Sequence, residues 1–220
     1  MGLGKLLHDH TGHTEHADEG GTIDHPRAYE LVAEIGFLGR RREIFTRLAA
    51  LSGVRPGDRV LDVGCGTGYL TRILAPVAGP SGQVTGVDPA ESMIGHARRR
   101  APGNCSYQVG VGQALPVPDA SVDVVVSSLA VHHMPVDARG TAVREMFRVL
   151  KPGGRLLIAE FRPPSNHLLA HLAGALTGPE MRHNPKDLLA GLIPEAGFHV
   201  QDEGDLPVML AYVRAVRPAA

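Results

Sequence analysis

Between residues 59 and 160, short apolar runs alternate with longer segments whose apolar positions recur every three or four residues. The pattern predicts strands at 59–63, 83–87, 105–109, 122–127 and 154–160, with helices over about 68–77, 90–101 and 139–150. Alternation of this kind implies a parallel sheet with helices on both faces, because a parallel neighbour is reached only through a crossover. The run SVDVVVSS at 121–128 is almost continuously apolar, as a strand covered on both faces must be. It belongs in the middle of the sheet.

Upstream, Leu31, Ile35 and Leu38, and then Ile44, Leu48 and Leu51, fall at helical spacing, with Gly39 and Gly53 as breaks. A helical pair is expected, followed by a turn at RPGD. Beyond residue 160 the pattern reads as loop, helix, loop and helix, with Asn184 or Asp187 as caps. The closing runs FHVQDEG and PVMLAYVRAV, separated by turn residues, predict a hairpin on the sheet edge. Residues 1–25 are polar and lack a repeating apolar face, which suits a flexible tail or a lid that orders on binding. The organisation expected is a His-rich segment at 1–25, a helical lid at 26–54 and a ligand-binding domain at 55–220, without internal repeats.

Composition narrows the partners. Lys plus Arg number 22 against 23 Asp plus Glu, so no positive field gathers nucleic acid or an anionic membrane surface. The triplets Arg40 to Arg42 and Arg98 to Arg100 read as solvated helix faces. Cys65 and Cys105 form neither a disulfide framework nor a zinc cluster, which suits a reduced intracellular protein. The first residues lack a signal-peptide core, and no run reaches the roughly 20 apolar residues of a membrane span. A cytoplasmic protein is expected. His8, His10, His13, His16 and His25 match no fixed zinc spacing and lack cysteine partners, so no metal site is expected.

The chemistry centres on VLDVGCGTGYLT at 60–71. Gly64, Gly66 and Gly68 follow a predicted strand, but Tyr69 stands where a dinucleotide fingerprint needs its last glycine. No Lys-Ser or Lys-Thr pair follows, so the loop is not built for a triphosphate. What remains is a ligand whose adenosine and carboxylate sit over the loop without a pyrophosphate. Asp62, just before the loop, can face a ligand ammonium, and Asp88, ending the next strand, can accept from both ribose hydroxyls.

Four segments in order carry a resemblance: VLDVGCGTG, GVDPAESMI, LPVPDASVDVVVSS and EMFRVLKPGGRLLIAEF. Over roughly residues 55–205 the chain resembles the class I S-adenosylmethionine-dependent methyltransferases, on their ubiquinone/menaquinone-methyltransferase-like branch. The resemblance implies an α/β fold: a doubly wound, Rossmann-like sheet of seven strands, mostly parallel, with an antiparallel edge hairpin and an N-terminal helical lid. It implies S-adenosylmethionine as cofactor, lying across Gly64, Cys65, Gly66 and Gly68 between Asp62 and Asp88, with Ser128 at the end of the fourth strand. Val111 stands where the family usually places an acid for the adenine amino group. Adenine is then left to backbone near Gly112, the side chain of Gln113, and apolar contact from Met93 or Pro89.

The resemblance also puts His132 and His133, in SSLAVHHMP, at the lip that faces the transferred methyl, where a histidine can take an acceptor's proton. His133 is taken ahead of His132. Tyr29 lies in the helix that folds over the cofactor in similar enzymes, either touching the methionine end or packing as core. Cys65 sits inside the glycine turn, which argues against the arsenic chemistry of three-cysteine relatives. The function expected is methylation of a small-molecule acceptor: a quinone, phenol, lipid-like compound or secondary metabolite. The rival is a non-catalytic S-adenosylmethionine-binding sensor or partner subunit, and association as a homodimer stays open.

Overall fold

The computed structural model describes residues 26–162 and 185–219. In chain order its elements are α1 (Pro26–Gly36), α2 (Arg41–Leu51), β1 (Arg59–Val63), α3 (Tyr69–Ala78), β2 (Gln83–Asp88), α4 (Glu91–Arg98) and β3 (Cys105–Val109). There follow β4 (Val122–Ser128), a 3₁₀ turn (Val131–His133), α5 (Val136–Val149), β5 (Leu150–Phe161), α6 (Pro185–Glu195), β6 (His199–Leu206) and β7 (Leu210–Val216).

The strands form one seven-stranded sheet in the order β3-β2-β1-β4-β5-β7-β6. Strands β1 to β5 run parallel, and β7 is antiparallel to both β5 and β6. The expected doubly wound sheet with its edge hairpin is therefore present, and SVDVVVSS forms the central strand.

Successive strand residues point to opposite faces, and each face is covered. Leu61, Val125, Leu156 and Ile158 pack with Val143, Met146 and Val149 of α5 and with Leu189 and Ile193 of α6. Their neighbours Val60, Val124, Val126 and Leu157 pack on the other side, with Ile44 and Leu48 of α2 and Leu70, Leu74 and Ala78 of α3. Helix α2 therefore helps to build the core beneath the sheet.

Three local differences separate pattern from structure. Leu31, Ile35 and Leu38, expected as the inner face of the first helix, are 65%, 66% and 78% exposed. Phe37, edge-on to Phe45, is the described residue of that segment buried in the core, and Glu30 adds polar contacts from α1 to Thr67 and Arg41. Helix α5 starts at Val136, directly after Pro135, which precedes it with an extended ψ of 141°, and earlier than apolar spacing suggested. Helix α6 begins at Pro185, so Asp187 lies inside it and is not a cap. Asn184 and residues 1–25 lie outside the described residues.

Candidate active site

The strand order reverses between β1 and β4, and in open α/β sheets ligands bind at such a switch point, beyond the carboxyl ends of the strands. The loop after β1 is tied firmly to β2: Gly64 N–H and Cys65 N–H both donate to the Val87 carbonyl, at 2.8 and 3.1 Å. Gly68 N–H closes the turn onto the Cys65 carbonyl at 2.8 Å. Gly64, Gly66 and Gly68 all adopt left-handed backbone, with φ of 73°, 51° and 73°. At Gly64 a Cβ would fall 2.2 Å from the Ala130 Cβ, so the loop presses against the segment after β4. At Gly66 a Cβ would meet nothing within 4 Å, leaving bare backbone beside open space.

Two acids flank this opening. Asp88 ends β2, where its Oδ2 accepts from Gly66 N–H at 2.8 Å and its Oδ1 from Ala90 N–H at 2.9 Å. It thereby joins the glycine turn to the start of α4, and each oxygen keeps a second lone pair for a ligand. Asp62, buried at the end of β1, accepts from the Thr71 hydroxyl at 2.6 Å. Burial pushes Asp62 up to about 7 against that hydrogen bond, and the charge of Asp88 adds to the push. Burial also raises Asp88, opposed by the Ala90 and Gly66 amides. Two carboxylates held at a desolvation cost beside one opening favour a ligand that brings positive charge.

Cys65 differs from the expected contact role. Its side chain packs behind the loop with Ile94, Ala97 and Tyr107, and its amide and carbonyl are both taken by backbone partners. Burial raises its thiol well above the ordinary cysteine value. It shapes the loop from behind.

The remaining expected contacts lie at or just beyond the carboxyl ends of β2, β3 and β4. Pro89 is exposed and Met93 buried at the head of α4. Gly112 is enclosed so closely that a Cβ would lie 2.7 Å from Met134 Cε; Gln113 is half-buried and Val111 42% exposed. The Ser128 hydroxyl at the end of β4 is enclosed and finds no hydrogen-bond partner among the described residues. Backbone strain follows directly, because Leu129 takes a left-handed φ of 57° with its N–H on the Ala159 carbonyl at 2.8 Å.

Beyond that turn the two histidines separate in role. His132 is half-buried, with Nδ1 2.5 Å from Glu160 Oε2, while His133 is exposed and its ring centre lies 4.0 Å from that of His132. The buried carboxylate stands on His132 and not on His133, the residue expected ahead of it.

Helix α1 reaches the loop through Glu30. Its carboxylate accepts from the Thr67 hydroxyl and from both terminal nitrogens of Arg41, at 3.2 and 3.3 Å. The Thr67 hydroxyl and Arg41 hold Glu30 below the usual carboxylate value, overcoming the upward push of its burial. Arg41, expected on a solvated face, is instead 2% exposed, with its guanidinium 3.8 Å above the Tyr69 ring. Tyr29 is half-buried; burial raises its phenol against the pull of Arg41, and Glu30 and Asp88 add to the rise.

Glu30, Arg41 and Glu160 were not singled out from sequence. Glu160 had a readable signal, an acid closing the apolar run LLIAEF much as Asp62 closes VLDV. Glu30 and Arg41 had none, because their meeting depends on how α1 and α2 fold back. The open backbone at Gly66, the raised acids and the orphaned Ser128 hydroxyl fit a ligand with ribose hydroxyls and a cationic amino-acid end. Among the described residues no His, Cys, Asp and Glu cluster is arranged to hold a metal ion, and no helix is long and apolar enough to cross a membrane.

Comparison with known proteins agrees with this geometry. Residues 60–154 match the family described as a methyltransferase domain. A ubiquinone/menaquinone biosynthesis C-methyltransferase UbiE of Ectopseudomonas mendocina is 43% identical over 149 residues, covering 64% of this chain and 57% of that protein. The counterpart in Pseudomonas fluorescens is 39% identical over 148 residues, with the same coverage. The chain thus spans a little over half the length of these curated relatives. Among solved structures, a SAM-dependent methyltransferase from Aquifex aeolicus superposes with a TM-score of 0.73 at 21% identity, over 88% of this chain and 98% of that one, a likeness of fold. The sheet order, the glycine turn between two buried acids and the sequence likeness agree on an S-adenosylmethionine-dependent methyltransferase domain at residues 60–154 of this chain.

Proposed function

We propose that the protein transfers a methyl group from S-adenosylmethionine to a small-molecule acceptor of the hydroquinone class. The observation that carries the reading is the pair of buried carboxylates, Asp62 and Asp88, on either side of the open Gly66 backbone. Likeness to the quinone C-methyltransferases supplies the acceptor class. When bound, S-adenosylmethionine supplies a methyl group already activated by its positively charged sulfur.

This chain's own residues have three tasks. Asp88 receives ribose hydroxyls while holding the glycine turn in place, and Asp62 offers its charge to the amino-acid end. Met93, Pro89 and Gln113 enclose the adenine side, where Val111 supplies no acid. His132 and His133 stand past β4, where a proton must leave a hydroxylated acceptor for its ring carbon to become nucleophilic. Holding the acceptor in line with the methyl and excluding water accounts for the rest of the rate. Every side chain in this scheme comes from one chain, so a second copy is not required, and a net charge of −1 supplies no footprint for nucleic acid.

The test is transfer of labelled methyl from S-adenosylmethionine to a short-chain naphthohydroquinone, with binding of S-adenosylhomocysteine followed by calorimetry. Label in the quinone carbon skeleton is the expected result. Tight S-adenosylhomocysteine binding without transfer to quinone, phenol or lipid acceptors would instead make the protein a sensor, and absence of binding would remove the reading altogether.

A further inference from the structure

At the carboxyl ends of β4 and β5 the structure contains an arrangement separate from the glycine turn and its two acids. Glu160, 2% exposed, divides its two oxygens between two partners. Oε1 accepts from Val131 N–H at 2.8 Å, and Oε2 lies 2.5 Å from His132 Nδ1. Because a carboxylate accepts, Nδ1 is the donor of the second contact, and the neutral ring then carries its lone pair on Nε2. The turn itself is fixed: Arg139 donates to the carbonyls of His132 and Met134, at 2.8 and 3.0 Å. The His132 side chain is 20% exposed, so the ring is locked at one edge while part of it remains reachable.

We propose that Glu160 is the positioning residue that makes His132, rather than His133, the proton acceptor of the methyl-transfer reaction. The inference rests on the proposed function and names the group that carries out its proton step. In that step the hydroxyl proton of the acceptor moves to Nε2, and the electron pair it leaves raises the nucleophilicity of the ring carbon. That carbon forms the new bond to the methyl group, and the bond from methyl to sulfur breaks with its pair staying on sulfur. The positive charge lost at sulfur reappears on the imidazolium, beside the Glu160 carboxylate. The displaced ring hydrogen then leaves as a proton to solvent, restoring aromaticity, and the imidazolium returns its proton to the phenolate oxygen of the product.

Glu160→Gln tests the arrangement with little change of shape. The Val131 N–H can only donate, so the substituted amide must turn its oxygen toward it and its NH₂ toward His132. Nδ1 then becomes an acceptor, and the ring proton moves to Nε2, removing the lone pair that should take the acceptor's proton. Nitrogen-detected NMR of the full chain should show Nδ1–H for His132 in the parent and Nε2–H in Glu160→Gln. With the short-chain hydroquinone, kcat should fall by roughly 10²–10⁴-fold, with KM and S-adenosylhomocysteine affinity within about threefold of the parent. An Nε2–H tautomer in the parent overturns the proposal whether or not the hydroquinone proves to be a substrate. So does an unchanged kcat in Glu160→Gln, or a larger loss in His133→Ala than in His132→Ala. Absence of transfer in the parent, with the Nδ1–H tautomer present, counts against the acceptor class and leaves the arrangement standing.

Discussion

In the proposed scheme Asp88 carries two jobs through one carboxylate. It holds Gly66 N–H and Ala90 N–H now, and its remaining lone pairs are those a ribose would use. Charge-assisted hydrogen bonds contribute about 1.5–3 kcal/mol each, so Asp88→Ala should weaken S-adenosylhomocysteine binding at least tenfold by calorimetry. Affinity within twofold of the parent would reduce Asp88 to a turn residue. Asp62 makes a different prediction. Its folded value of about 7 lies above the ordinary 3.8, so folding takes up a proton in that interval, and the stabilisation present below pH 4 is lost as pH rises through 7. Asp62→Asn keeps an acceptor for Thr71 and removes the buried charge. Chemical denaturation of the unliganded protein should therefore find the variant more stable than the parent at pH 8, and similar to it at pH 4, while its cofactor affinity falls. Because Asp88 is raised in the same direction, the comparison is between parent and variant at each pH. Parallel pH curves for the two would show that Asp62 is not titrating there.

At the scale of elements, α1 stands apart from the other helices. No residue within it is buried, and Glu30 links it to Thr67 on the glycine loop and to Arg41 on α2. A helix held by a few polar contacts opens at lower free energy than one held by an apolar stripe. Glu30→Ala should raise amide exchange across α1 by roughly tenfold or more, while α3 and the strands keep their protection. Unchanged exchange in α1 would mean that Glu30 does not hold it. The substitution also leaves Arg41 buried without its carboxylate, so weaker S-adenosylhomocysteine binding should accompany the faster exchange.

For the whole molecule, the sheet is the partition. Met146 on α5 and Leu74 on α3 are both fully buried, but they belong to clusters on opposite faces. Truncating either to alanine should cost about 2–5 kcal/mol in denaturant unfolding, and the double variant should lose the sum within about 0.5 kcal/mol. A clear departure from additivity would show that the sheet transmits packing strain from one face to the other.

How much of this was legible in the sequence follows from what each signal depends on. Period and punctuation are local, so VLDV, QVTGVD and SVDVVVSS were readable as strands, and three glycines behind an apolar run were readable as a turn exposing backbone. The order of those segments, with acids ending the first two strands, already pointed to an adenosine ligand without a pyrophosphate. Side-chain environment is not local. Leu31 and Ile35 have the spacing of a buried face yet lie outside the described core, and Arg41, in a run of three arginines, is buried because α1 folds back to bring Glu30 onto it. Cys65 sits within the binding motif, but the loop's curvature turns its thiol toward Tyr107. From the sequence, His133 is taken slightly ahead of the adjacent His132. The contact on which the proposal for His132 rests was invisible there, because Glu160, 28 residues away in sequence, reaches its ring only through the pairing of β4 with β5.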